Sequence, residues 1–199
     1  TERLGSGIEG LDKMLNGGLF KDSVTMVAGS SGAGKTTSAL SFIVEGAKRN
    51  EKSLYVRFEE PIPQLIRQGE AFGWGINELI DRGMMKIVTL NPESYNAEET
   101  LHQLRKLLEE YKPARLVIDS LNPLERAMPE PEYVEHLRSL ISLVKAEGIT
   151  AIFTVVAELA ALTTGTGIST LMDNIISLRY VELESNLKRS LVIFKYRSS

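Results

Sequence analysis

Apolar positions along this chain fall into two alternating textures. Short blocks are apolar almost throughout and rich in β-branched residues, while longer stretches repeat leucine or isoleucine every third or fourth position between charged residues. The first texture reads as strand and the second as helix, because side chains alternate across a strand but share a helix face at that wider spacing. A short amphipathic helix is predicted over residues 7–15, stopped by Gly17-Gly18, since glycine accepts the positive φ of a helix end. A strand over 23–28, a glycine-rich turn and a helix over 36–48 follow. The alternation repeats with a strand over 53–58, helices over 62–71 and 76–81, and a strand over 85–90. A helix over 97–111 carries Leu101, Leu104, Leu107 and Leu108 at helical spacing, and a short apolar strand spans 115–119. An amphipathic helix over 132–147 leads to a strand over 150–156. The end differs: residues 175–184 and 190–195 read as two strands joined by Ser185-Asn186-Leu187, a hairpin.

Strands alternating with helices give βαβ units, and apolar strands without strict alternation are covered on both faces. The predicted fold class is therefore α/β: a mostly parallel central sheet flanked by helices, with a C-terminal hairpin adding antiparallel strands at one edge. Ligands of such sheets bind at the carboxyl ends of the strands. The 199 residues contain no low-complexity linker and no internal repeat and are expected to form one domain over 1–199, either alone or as one half of a tandem.

Charge and composition remove several functions. The chain has no cysteine, so disulfides, thiolate metal sites and cysteine nucleophiles are excluded. Its two histidines, His102 and His136, stand far apart on polar helical stretches and read as solvated residues, not zinc ligands. A net charge of −3 is not the footprint of a general nucleic-acid binder. No apolar run approaches the roughly 20 residues that span a bilayer, and Thr1-Glu2-Arg3-Leu4 does not read as a signal peptide, so a cytoplasmic location is expected.

The strongest chemistry lies between the strand over 23–28 and the helix over 36–48. Gly29-Ser30-Ser31-Gly32-Ala33-Gly34-Lys35-Thr36 matches G-x-x-x-x-G-K-[ST] in full. The glycines let the backbone curl so that successive amides face phosphate oxygens, and the helix adds its positive N-terminus. Lys35 would place a charge on the β and γ phosphates, and the Thr36 hydroxyl could ligate Mg²⁺. Ser30, Ser31, Gly32, Ala33, Gly34, Lys35, Thr36 and the adjoining Thr37 are the candidate ATP-binding residues.

Asp119 ends an apolar strand, where a carboxylate can hold Mg²⁺ directly or through water; with Ser120 and Asn122 after it, it also fits a turn or helix cap. Glu59-Glu60 ends the strand over 53–58. Adjacent carboxylates near a triphosphate can raise one another's pKa and accept a proton from water, but the same pair could be a solvated loop capping the helix beyond Pro61.

In this order, Gly7-Ile8, Leu11-Asp12, Gly17-Gly18-Leu19, the phosphate loop, Phe58-Glu59-Glu60, Val117-Ile118-Asp119-Ser120 and Lys195-Tyr196-Arg197 resemble a KaiC-type ATPase domain of the RecA superfamily. Phe20-Lys21-Asp22-Ser23, Pro92-Glu93-Ser94, Lys112-Pro113-Ala114-Arg115 and Ile168-Ser169-Thr170 look most like the second, autokinase domain of that family's clock members. The resemblance implies a hexameric ring with Mg-ATP between subunits and regulatory protein partners. It implies Glu59 as general base and metal-site carboxylate, with Glu60 in support. Lys195 and Arg197 would reach a neighbour's γ phosphate; read from the residues alone, they are edge-strand charges that oppose aggregation. Ser169-Thr170 would match a self-phosphorylated pair; read locally, one of them caps the turn at Leu171-Met172.

Some residues depart from the pattern. Val155-Val156 replace small polar residues, and Ser198-Ser199 replace a glycine-serine pair. Trp74 is expected in the core at a helix end, and Arg57 beside the acidic pair is expected to meet a carboxylate across a subunit interface. Pro129-Glu130-Pro131-Glu132 reads as a stiff acidic surface loop. The expectation is thus an ATPase acting in a ring, with Ser/Thr autophosphorylation as an added activity. The alternatives are a nucleotide-switched scaffold and a DNA-dependent RecA-like ATPase, the latter opposed by the acidic balance.

Overall fold

The computed structural model describes residues 2–58, 60–91, 96–157 and 167–197. Its chain order is β1 (Arg3–Leu4), α1 (Glu9–Met14), β2 (Leu19–Phe20), β3 (Val24–Gly29), α2 (Lys35–Lys48), β4 (Ser53–Arg57), α3 (Ile62–Ala71), α4 (Ile76–Asp81) and β5 (Met85–Thr89). It continues with α5 (Ala97–Tyr111), β6 (Arg115–Asp119), α6 (Asn122–Arg126), α7 (Glu130–Ala146), β7 (Thr150–Val156), α8 (Ile168–Leu171), β8 (Asn174–Leu183) and β9 (Asn186–Tyr196). Seven of the strands form one sheet in the order β5-β4-β6-β7-β3-β8-β9, parallel except for β9. The expected mostly parallel α/β sheet is therefore present.

Period-two geometry divides the strand residues between two cores. Met26, Val56, Ile118 and Phe153 pack on the α5 and α7 side; Val27, Tyr55, Val117 and Ile152 pack on the α2 side. All of them are at most 3% exposed. A parallel sheet covered on both faces needs apolar residues at every position, which explains why these strands show no alternation in sequence.

Arg115 ties the opening segment to this sheet. It is fully buried, pairs with Glu51, donates to the carbonyls of Gly5 (2.6 Å) and Phe42 (3.0 Å), and lies over the Phe42 ring. Gly46 makes room for it: a β-carbon there would stand 2.4 Å from the Arg115 Cδ.

Three sequence expectations need correction. Only β9 is antiparallel; β8 extends the parallel set beside β3. The hairpin turn is Glu184-Ser185, both at positive φ (51° and 61°), so β9 starts at Asn186 and not at residue 190. Such a two-residue turn matches strand twist, but neither residue is the asparagine or glycine that usually announces it. Finally, Glu130, Pro131 and Glu132 are not loop: they form the first turn of α7, with Pro129 at its N-cap. Proline lacks only an amide that would be unpaired there, and glutamates favour the positive helix end. Trp74 is half-buried, stacked on the exposed Phe72 (ring centroids 4.8 Å apart) at the end of α3.

Candidate nucleotide site

The phosphate loop leaves β3 at Gly29 and enters the 14-residue α2 at Lys35. Gly32 (φ 78°) and Gly34 (φ 103°) sit in the left-handed region, which is why this turn requires glycine at both. Ala33 is 3% exposed and packs into the α2-side core, anchoring the loop from below. From the hairpin, the Tyr180 hydroxyl donates to the Gly32 carbonyl (2.6 Å), and the Arg189 guanidinium lies over the Tyr180 ring. Thr37 accepts a hydrogen bond from Gln68 of α3 (2.7 Å), linking the start of α2 to its neighbour. Lys35 is 7% exposed, and its ammonium donates to the carbonyls of Gly29 (2.9 Å) and Ser30 (2.6 Å). Burial pushes its pKa down, partly opposed by the Asp119 charge.

Asp119 stands at the carboxyl end of β6, on the α2 face of the sheet. Three hydroxyls converge on its carboxylate: Thr36 (2.8 Å) and Tyr55 (2.5 Å) on Oδ2, and Thr154 (2.6 Å) on Oδ1. Each comes from a different element, α2, β4 and β7, so the sheet register and the helix docking assemble the arrangement together. Burial raises the Tyr55 pKa well above its ordinary value, with the Asp119 charge adding to the effect, so the phenol stays a donor. The Thr36 hydroxyl and the Asp119 carboxylate form an all-oxygen pair. Their 2.8 Å separation fits two adjacent ligands of an octahedral Mg²⁺, which stand about 2.9 Å apart for bonds of about 2.05 Å. Among the described residues no cluster of three or more His, Cys, Asp or Glu could hold a metal. Mg²⁺ bound mainly by water and phosphate needs no such cluster.

These groups open into a cleft of about 170 Å³. Ser31, Gly32, Lys35 and Thr36 of the loop and α2 line it together with Arg57, Glu60 and Asp119. Arg57 is 2% exposed and pairs with Glu60 of its own chain. Glu59 lies outside the described residues.

Lys195 and Arg197 do not line this cleft. The Lys195 ammonium donates to the Ser169 carbonyl (3.0 Å), and Arg197 donates to the Thr170 carbonyl (3.4 Å) and meets Asp173 (3.6 Å). Burial, then the neighbouring Arg197 charge, lowers the Lys195 pKa. Ser169 and Thr170 lie inside α8. The capping expectation is overturned: Gly167 is the N-cap residue, and the Thr170 hydroxyl donates back to the Gly167 carbonyl (2.5 Å).

Tyr55, Thr154, Tyr180 and Arg189 escaped the sequence reading as site residues. The one local signal was a hydroxyl within an apolar strand, at Tyr55 and at Thr154.

A phosphate loop between a parallel strand and its helix, with an aspartate ending a neighbouring strand, defines a P-loop protein with a RecA-like sheet. The chain belongs to the KaiC-type ATPase family: the family model described as "ATPase: KaiC" matches residues 4–199. It is 35% identical over 200 residues to the circadian clock oscillator protein KaiC of Picosynechococcus sp., covering 99% of this chain and 39% of that protein. It is 37% identical over 202 residues to the circadian clock protein KaiC3 of Synechocystis sp., covering 99% of this chain and 40% of that protein. The circadian clock oscillator protein KaiC 1 of Synechocystis sp. is 34% identical over 200 residues, with 99% and 38% covered. The chain thus spans about two fifths of the length of these relatives. Among the described residues no helix is long and apolar enough to cross a membrane.

Proposed function

We propose that residues 1–199 form one ATPase unit that binds Mg-ATP and hydrolyses it at the interfaces of a homo-oligomeric ring. One observation carries this reading: Lys35 and the Thr36–Asp119 oxygen pair stand together at the carboxyl ends of the strands, at the start of α2. The loop amides and the α2 N-terminus would hold the β phosphate, and Lys35 would exchange its two carbonyl partners for phosphate oxygens. Thr36 and Asp119 would hold Mg²⁺, which when bound neutralises charge on the β and γ phosphates. Glu59 would take the proton of the attacking water as its oxygen bonds to the γ phosphorus and the bond to the ADP oxygen breaks. Lys195 and Arg197 would leave the α8 carbonyls for the γ phosphate of an adjacent copy. The same transfer to the hydroxyl oxygen of Ser169 or Thr170, whose proton would pass to a carboxylate base such as Glu59, would leave a phosphoester and ADP.

The test is calorimetric titration of ATP with Mg²⁺ into wild type and Lys35→Ala, with phosphate release measured alongside. Lys35→Ala is expected to lose about 10²-fold or more in affinity, since at least two charge-assisted hydrogen bonds go. Unchanged binding in that variant would remove the site. Wild type that binds ATP but releases phosphate no faster than Glu59→Gln would be a nucleotide-switched scaffold. Mass spectrometry of the protein after the reaction reads autophosphorylation separately.

A further inference from the structure

Neither the phosphate loop nor the metal pair accounts for Arg57. It ends β4 directly opposite Asp119 in the β4–β6 register, so the two side chains share the α2 face. It is 2% exposed and yet lines the same cleft as Gly32, Lys35 and Thr36. Its hydrogen bonding is incomplete. One terminal nitrogen donates to Glu60 and the other reaches the Pro61 carbonyl at 3.3 Å, but Nε is buried without a partner among the described residues. Asp119, across the strand pair, accepts from Thr36, Tyr55 and Thr154 and makes no ion pair with Arg57. A guanidinium taken out of water normally has its donors satisfied. Among the described residues, the carboxylate bonded to this guanidinium belongs to Glu60, a side chain 61% exposed to solvent.

We propose that Arg57 is a terminal-phosphate ligand supplied within the chain. Its planar fork exchanges the Glu60 carboxylate for oxygens of the outermost phosphate of a nucleoside triphosphate, and so makes the site discriminate triphosphate from diphosphate. The inference rests on the nucleotide reading above and adds a residue to it. Arginine suits the task because its fork matches phosphate geometry in two bonds at once. Glu60 suits the exchange because an exposed carboxylate regains full hydration when released. Lys35 and Arg57 reach the cleft from different elements, the start of α2 and the end of β4. A diphosphate held by the loop satisfies Lys35, and a third phosphate extends the anion towards Arg57.

The experiment measures binding of ADP and of a non-hydrolysable ATP analogue, both with Mg²⁺, to the wild-type chain and to Arg57→Gln, Arg57→Lys and Glu60→Gln. Arg57→Gln is expected to weaken the triphosphate about tenfold or more and the diphosphate less than twofold. Arg57→Lys falls between, because the charge remains and the fork is lost. Glu60→Gln moves the other way: removing the competing carboxylate tightens the triphosphate several-fold and leaves the diphosphate unchanged. Equal losses for both nucleotides in a folded Arg57→Gln overturn the proposal. If that variant does not fold, Glu60→Gln decides alone, and unchanged or weaker triphosphate binding there overturns it. Wild type that binds neither nucleotide sinks the nucleotide reading itself, an outcome distinct from lost discrimination.

Discussion

The centre of the sheet and its hairpin edge treat polar groups in opposite ways. At the centre, Asp119 receives three hydroxyls and Lys35 gives to two carbonyls, all from the same chain and buried or partly buried. At the edge, Leu183 and Leu187 are 53% and 71% exposed, and Lys195 and Arg197 rest on the carbonyls of α8. The difference separates two kinds of candidate residue. The anion and metal groups are assembled by one chain's own core. The cations of β9 and its end have an intrachain structural contact, and the role proposed for them requires a second copy.

The largest effect should come from the edge. Arg197→Ala is expected to lower the hydrolysis rate about 10³-fold while ATP affinity changes only a few-fold, as a cation acting only on the transition state would. Mixing it with Glu59→Gln subunits should restore activity, because some interfaces then combine an intact base with an intact arginine. A small loss, or no recovery on mixing, would leave Arg197 as a support for α8 and dissolve the contrast.

A medium effect belongs to the centre. Tyr55→Phe keeps the packing but removes a hydrogen bond to a charged acceptor, worth about 2 kcal/mol. Urea unfolding should register that loss, and the Mg²⁺ concentration needed for ATP binding should rise. The edge variant Leu187→Ala should stay within about 0.5 kcal/mol of wild type. Equal stability losses at the two sites would erase the difference between centre and edge.

The smallest effect is in pH dependence. The Lys35 pKa is lowered on folding, so below it both states are protonated and the folded state bears the burial cost. As pH rises through the window between the lowered value and the ordinary 10.5, the folded chain releases its proton first and wild type gains stability. The stability of Lys35→Met relative to wild type should therefore fall between neutral pH and about pH 10. A difference independent of pH would mean that Lys35 is not desolvated.

Much of the architecture was legible because its causes are local. The elements over 62–71, 76–81, 97–111, 115–119 and 150–156 were read with the bounds they have, since buried strands are apolar throughout and amphipathic helices repeat at their own pitch. The phosphate loop was equally legible, as its curvature needs glycine at fixed spacing. Polar or short elements were not: the first half of β9 carries no apolar face, α8 is four residues long, and β1 pairs with β2 across the fourteen residues between them. Of the site, Lys35, Thr36 and Asp119 could be named from sequence, but the hydroxyls of Tyr55 and Thr154 could not, because inter-strand register sets their meeting with Asp119.

By itself, then, the amino-acid order determined the alternation of strands and helices, the phosphate loop and the aspartate closing β6. Tertiary structure alone decided that β8 runs parallel beside β3, that Arg57 stands opposite Asp119 and pairs with Glu60, and that Lys195 and Arg197 rest on α8. The reason is range. Helix pitch, strand alternation and loop curvature are properties of a few consecutive residues, whereas strand order and register come from burying two apolar faces at once.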